Sequence, residues 1–289
     1  MLPQIVKRLL PGSLRPPLRT LYGAARSNLE FLMQGVRDRI TGVADTYAPF
    51  KLPPPRLRYR VHVSVDPDSF VNVARVDAGM IVAAAERHGC PLAACERVLD
   101  WGCGPGKVLQ GIHLHHLKGN APAARPKLHG TDLSPGSIRW ATRNLPFATF
   151  SVNDPMPPLP FAPESFDLIY GISVFSHLDQ RLEGLWLNEL HRLVRPTGLV
   201  IVTVRGSYAS DMAIASDSDE GKRLEQVGIV FRPPPATDYR KEGLPDCYGN
   251  TYHTKEYITK AYSRQFTILE HTERGLRGSQ DLLVLRKRP

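Results

Sequence analysis

Val98-Leu99-Asp100-Trp101-Gly102-Cys103-Gly104-Pro105-Gly106-Lys107 decides how the rest of this 289-residue sequence is read. A short apolar run with the pattern of a buried strand passes straight into three glycines at alternate positions, and then into a helical pattern beginning near residue 106. Glycine at such places permits backbone angles, and an approach of ligand to backbone, that a Cβ would block. The spacing is GxGxG and not the GxGxxG of dinucleotide pyrophosphate sites, so the loop alone does not name its ligand.

Outward from this loop the chain alternates strand-like and helix-like segments. Strands are expected at 97–101, 127–131, 148–152, 167–172 and 199–204, with helices beginning near 106, 136 and 180. That alternation predicts an α/β fold with a doubly wound, mostly parallel sheet covered on both faces. The last two strands, Phe266 to His271 and Asp281 to Leu285, flank a short turn containing Gly275 and Gly278. A turn that short cannot make a parallel crossover, so this pair is expected to be an antiparallel hairpin.

Two acids stand where further strands of such a sheet should end. Asp132 lies in His129-Gly130-Thr131-Asp132-Leu133-Ser134, and Asp154 in Ser151-Val152-Asn153-Asp154. Open α/β sheets bind ligands outside the carboxyl ends of their strands. There Asp132 can accept hydrogen bonds from both hydroxyls of a ribose, and Asp154 or its neighbour Asn153 can meet the exocyclic amine of an adenine. Either acid alone reads as a turn or helix-cap residue. Glycine loop and both acids together, in this order, describe a nucleoside pocket.

On these residues the sequence resembles the class I S-adenosylmethionine-dependent methyltransferases. LDWGCGPG is similar to their first motif, GTDLS to their second, and VNDPMPPLPFAPESFDLIYGISVFSHL to their third and fourth. The resemblance covers roughly residues 90 to 205, and the closing hairpin matches the family's last strands. It implies a Rossmann-like fold, methyltransferase activity and S-adenosyl-L-methionine as cofactor. It also implies that Asp100, Gly102 and Gly104 line the methionine side, that Asp132 and Leu133 hold ribose and adenine, and that Ser173 borders the reacting centre. One departure is the distance from Gly106 to Asp132, 26 residues, which is several more than usual in the family. The surplus around Gly119 to Pro126 reads as a loop insertion.

The stretch YHTKEYITKAYSRQFTILEHTERGLRGSQDLLVLRK resembles the tails of methyltransferases associated with saccharide and cell-surface glycan assembly. It points to O-methylation of a saccharide or lipid-linked glycan, with a small natural product or quinone-like lipid as the alternative acceptor. A reading of another class is a cofactor-binding pseudoenzyme that serves as a membrane- or RNA-associated scaffold. Transfer to a hydroxyl is helped by a base of near-neutral pKa, and His177, just past the fourth strand, and His253 are the candidates. Either histidine also reads as a packing residue. Nucleic acid is not the expected partner: Gly171-Ile172-Ser173-Val174 stands where many amino-group nucleic-acid methyltransferases carry Asn-Pro-Pro-aromatic, and no RNP-type aromatic motif is present.

Four cysteines, Cys90, Cys95, Cys103 and Cys247, lack any CxxC or histidine partner at zinc-ligand spacing, so no metal site is expected and a reducing cytoplasm is the simplest compartment. Pro3, Pro11, Pro16 and Pro17 break the N-terminal apolar runs, and nothing later approaches ~18 uninterrupted apolar residues. The formal charge of +9 is concentrated in residues 1–60, where 11 Lys and Arg face three acids for a local +8. Leu18, Leu21, Tyr22, Ala25, Leu29, Leu32, Met33 and Val36 recur at helical spacing. This stripe is expected to pack on the protein's own core, with a peripheral contact at the inner membrane face or a partner surface as alternatives. The expected organisation is therefore a basic extension, 1–60, and a methyltransferase domain, 61–289, with a cap-like insertion at about 206–252. That insertion holds Asp217-Ser218-Asp219-Glu220, a proline run from Pro233, and the polar patch Asp238, Tyr239, Asp246 and Tyr248.

Overall fold

The computed structural model describes residues 15–117, 126–233 and 248–288, with side chains from residue 28 onward. Seven strands form one sheet in the order β3-β2-β1-β4-β5-β9-β8. They are β1 (Arg97–Trp101), β2 (Lys127–Asp132), β3 (Ala148–Val152), β4 (Phe166–Gly171), β5 (Val194–Val204), β8 (Phe266–Leu276) and β9 (Gln280–Lys287). The first five run parallel, β9 pairs antiparallel with β5, and β8 pairs antiparallel with β9 at the edge. The doubly wound sheet and its closing hairpin are thus as expected. β5 begins five residues before the expected strand, and β6 (Ile229–Arg232) pairs with β7 (Asn250–His253) in a small second sheet that the alternation did not reveal.

Strand alternation divides the core. On β5, Leu199 and Ile201 enter one layer while Val200, Val202 and Val204 enter the other. The first layer is closed by α4 (Pro67–Arg87) and α5 (Lys107–His116), through Ala78, Ile81, Val82, Leu109 and Ile112. The second is closed by α7 (Gln180–Leu193) and α10 (Lys255–Tyr262), through Leu182, Trp186, Leu190, Ile258 and Tyr262. Between them in sequence lie α6 (Pro135–Asn144), α8 (Ser207–Ala213) and α9 (Asp219–Val227). Several helices start on the side-chain caps that the sequence supplies: Asp66 accepts from the Ser69 amide, Ser134 from Ser137, and Asp179 from Leu182.

The N-terminal region comprises α1 (Arg15–Ile40), α2 (Val43–Thr46) and α3 (Pro55–His62). The proline run does not separate arm from domain, because Pro55 opens α3, where a missing N–H costs nothing. A boundary at residue 60 therefore falls inside a helix. Arg58 of α3 is almost fully buried and holds the region together: it pairs with Asp38 of α1 at 2.6 Å and donates to the carbonyls of Val65 and Pro53. Lys51 and Gln110 exchange two hydrogen bonds, at 2.8 and 3.0 Å, that tie the connecting strap to α5.

α1 exists where expected, but the described part of its apolar stripe is turned outward. Leu29, Leu32, Met33 and Val36 are exposed, so the expectation that the stripe packs on the core is corrected for these residues. The insertion expected around 119–126 lies outside the described residues apart from its last position, as do Asp238, Tyr239 and Asp246. Within the cap-like interval, α8, α9, β6 and β7 share a small core of Ile214, Leu224, Val230 and Tyr252. The Asp217–Glu220 run is spent on structure: Ser218 caps α9, two of its acids sit in the first turn, and Glu220 pairs with Arg232. Among the described residues no helix is long and apolar enough to cross a membrane.

Candidate active site

β1 delivers the chain into a tight turn at the carboxyl edge of the sheet. Gly102 and Gly104 have φ of 80° and 54°, and a Cβ on them would stand 2.4 Å from Val174 Cγ2 and 2.6 Å from Val61 Cγ1. Conformation and space therefore both demand glycine there. The turn is anchored to β2: the amides of Gly102 and Cys103 donate to the Thr131 carbonyl at 2.8 and 2.9 Å, and the Gly104 amide donates to Asp132 Oδ2 at 2.8 Å. Asp132 Oδ1 accepts from the Ser134 amide at 2.7 Å. Burial pushes this carboxyl up, while the two amides and the Arg60 charge pull it back.

Above the turn opens a cavity of about 350 Å³, lined among others by Gly102, Asp132, Leu133, Asn153, Ser173 and His177. Six of the ten residues singled out from the sequence are thus brought to one wall. Asn153 Oδ1 is buried with no hydrogen-bond partner among the described residues, an acceptor left open beside Asp132. Ser173, in the left-handed region at φ 58°, is fixed by a closed ring of bonds. Its amide donates to Thr203 Oγ1 at 2.8 Å, Thr203 donates to Gln280 Oε1 at 2.9 Å, and Gln280 Nε2 donates to Ser173 Oγ at 3.0 Å.

The other four lie elsewhere. Gly104 acts through its amide on Asp132 and does not line the cavity, and Asp154 is exposed, so Asn153 is the residue of that pair that faces the pocket. Asp100 is buried beneath the turn, and its Oδ2 has no hydrogen-bond partner among the described residues. Its carboxyl is pushed up to about 8 by burial, assisted by Asp132 and Asp77 and opposed by the Tyr170 hydroxyl and Lys107. His253 is fully buried, with Nε2 2.7 Å from Glu183 Oε2, and meets no part of the cavity. That placement leaves it a structural role in the core and corrects the expectation of a second candidate base.

His177 does face the cavity. Its Nδ1 donates to the Gly249 carbonyl at 2.6 Å, and its ring stacks on Tyr248 with centroids 4.3 Å apart and planes 13° apart. The bond to a carbonyl requires the proton on Nδ1, which makes Nε2 the basic nitrogen of the neutral ring. The Gly249 amide returns a bond to the His177 carbonyl at 2.9 Å, so the cap-like insertion grips the turn after β4 at both ends of one residue.

Sequence reasoning missed part of the wall. Arg60, Val61 and His62 arrive from α3, while Arg277 arrives from the β8–β9 turn together with Gln280. Arg277 is paired with Asp77 of α4, whose second oxygen lies 3.1 Å from Lys107 Nζ, and Asp77 is fully buried. Burial pushes Lys107 down, against the pull of Asp77. One signal was legible: Asp77 sits on the stripe Phe70, Ala74, Ala78, Ile81, and a carboxylate on the core side of a helix needs cations.

A family model described as a methyltransferase domain matches residues 98–198, the span that carries the glycine turn, both strand-end acids and His177. Over that span the chain carries a methyltransferase domain. The fold of the chain is shared with the PH0226 protein from Pyrococcus horikoshii OT3, which is 17% identical over 80% of this chain and 98% of that one, with a TM-score of 0.53. It is shared also with an S-adenosylmethionine-dependent methyltransferase from Clostridium acetobutylicum ATCC 824, 12% identical over 73% of this chain and 91% of that one, with a TM-score of 0.51. S-adenosylmethionine is the cofactor that the resemblance of the sequence motifs implies. The residues present fit it: Gly102 of the turn and the Asp132 carboxylate line the cavity, and the open Asn153 Oδ1 is an acceptor suited to an amine.

Proposed function

We propose that the enzyme methylates a hydroxyl of a saccharide or lipid-linked glycan, with His177 as the general base. The observation that carries this reading is the Nδ1 bond to Gly249, which places the ring of His177 at the cavity wall with its Nδ1 proton engaged, so that Nε2 is the nitrogen that can exchange a proton. Tyr248 and Asn250 beside it offer an aromatic face and an amide, groups that suit a hydroxyl-rich acceptor. S-adenosylmethionine supplies an electrophilic methyl group. Gly102 would border it on the methionine side, Asp132 would hold its ribose hydroxyls, Leu133 and Asn153 its adenine, and Ser173 would border the reacting centre. His177 Nε2 would take the proton of the acceptor hydroxyl as its oxygen forms the C–O bond to the methyl carbon and the sulfonium C–S bond breaks, the demethylated thioether being the leaving group. The remaining work is alignment and the exclusion of water, done by the walls of α3 and the cap-like insertion.

The test is incubation with methyl-labelled S-adenosylmethionine and fractionated cell extract, with mass spectrometry of the labelled fraction. A gain of one methyl on a glycan is expected. Label on a quinone-like lipid or another small molecule overturns the saccharide reading, and label on nucleic acid overturns the acceptor class altogether.

A further inference from the structure

α1 is laid against the domain with its less apolar side inward. Phe31 packs on Tyr59 with ring centroids 5.5 Å apart, Asp38 pairs with Arg58 at 2.6 Å, and Gln34 donates to Asp38 at 2.8 Å. On the opposite side Leu29, Leu32, Met33, Val36 and Ile40 are 58%, 64%, 62%, 44% and 80% exposed. At helical spacing these five fall within an arc of roughly 100°, and Arg37 and Arg39 lie on its two flanks. The helix thus turns outward the face that folding ordinarily hides.

We infer that this face docks α1 in the plane of an anionic lipid surface. An apolar arc edged by arginines is the arrangement with which a helix lies at a headgroup boundary, its side chains among the acyl chains and its cations among the phosphates. The charge is complementary: residues 1–60 carry a net +8, and Asp38, an acid of α1, is turned inward onto Arg58. A second copy of the chain is disfavoured as occupant, because it would bring the same positive charge to its own. Docking also has a consequence for the site. α3, on which α1 rests, ends in Arg60, Val61 and His62, which line the cavity, so the lipid surface stands one helix away from the cavity wall. This inference holds whatever the acceptor is, and fails separately from it.

Sedimentation of the full-length protein with vesicles tests it. Vesicles of phosphatidylglycerol and phosphatidylcholine should carry the protein down, and phosphatidylcholine alone should not. The double variant L32D/M33D and the double variant R37E/R39E should each weaken that partitioning by roughly tenfold or more. Calorimetry with S-adenosylmethionine should read the same affinity in both variants, which shows them folded. Failure of the native chain to partition overturns the inference, as does partitioning equal to that of the variants. Light scattering that finds a dimer which L32D/M33D dissociates, without vesicle binding, assigns the face to a second copy and overturns it too.

Discussion

The Nδ1 of His177 and the carbonyl oxygen of Gly249 are 2.6 Å apart, although 72 residues separate them in the chain. This bond selects the tautomer, and the Tyr248 ring beneath the imidazole fixes its plane. His177→Ala is expected to slow O-methylation by roughly 10²-fold or more. Cofactor affinity should be little changed. A variant that melts earlier yet turns over normally per folded molecule would reduce His177 to a structural residue, so rate and melting temperature are measured together.

Asp132 serves two masters, the Gly104 amide and the ligand side of the cavity. Asp132→Ala is expected to weaken S-adenosylmethionine binding by about 1.5–3 kcal/mol, the scale of hydrogen bonds to a charged group. Calorimetry should read that as roughly a 10- to 150-fold rise in Kd. Unchanged affinity in a folded variant would displace the ribose from this residue.

Glu183 and His253 form a pair with no solvent exposure on either side chain. Removing one partner strands the other in the core, so Glu183→Ala is expected to cost about 3–5 kcal/mol of stability. His253→Ala should destabilise as well, with near-normal turnover per folded molecule. Denaturant titration paired with a rate assay checks both, and a rate loss in folded His253→Ala would return that residue to the chemistry.

Asp100 gives the fold a dependence on pH. Burial raises its carboxyl to about 8 in the folded chain, against 3.8 when unfolded. Between those values the folded state binds the extra proton, so its contribution to stability is full below about pH 4 and is lost as pH rises towards 8. Asp100→Asn keeps the shape without the titration and is expected to flatten that part of the profile. Thermal melts from pH 4 to 9 on both proteins are the measurement, and parallel profiles would show that this carboxyl does not titrate in that range.

Asp132 and Asn153 line the cavity because strands of such a sheet end at one edge, and a strand's end is marked by local chemistry. Arg277 was not legible in the sequence, because the hairpin turn that carries it shows only that the chain reverses, and not what the turn reaches. Asp100 and His253 were placed near the ligand from their neighbours in sequence. The folded chain buries one beneath the glycine turn and the other against Glu183.

By itself the sequence determined the elements of the main sheet and their order: the strands β1, β2, β3 and β4, the glycine turn and the closing hairpin. All of these rest on side-chain period and backbone freedom, which act over a few residues. Tertiary structure decided what meets what. It brought α3 and the hairpin turn to the cavity, set Gly249 against His177, and laid α1 with Asp38 inward and Leu32 outward. The period of a helix says that its faces differ, but which face is covered depends on the shape and charge of the surface it lands on, here the buried Arg58 that draws Asp38 in.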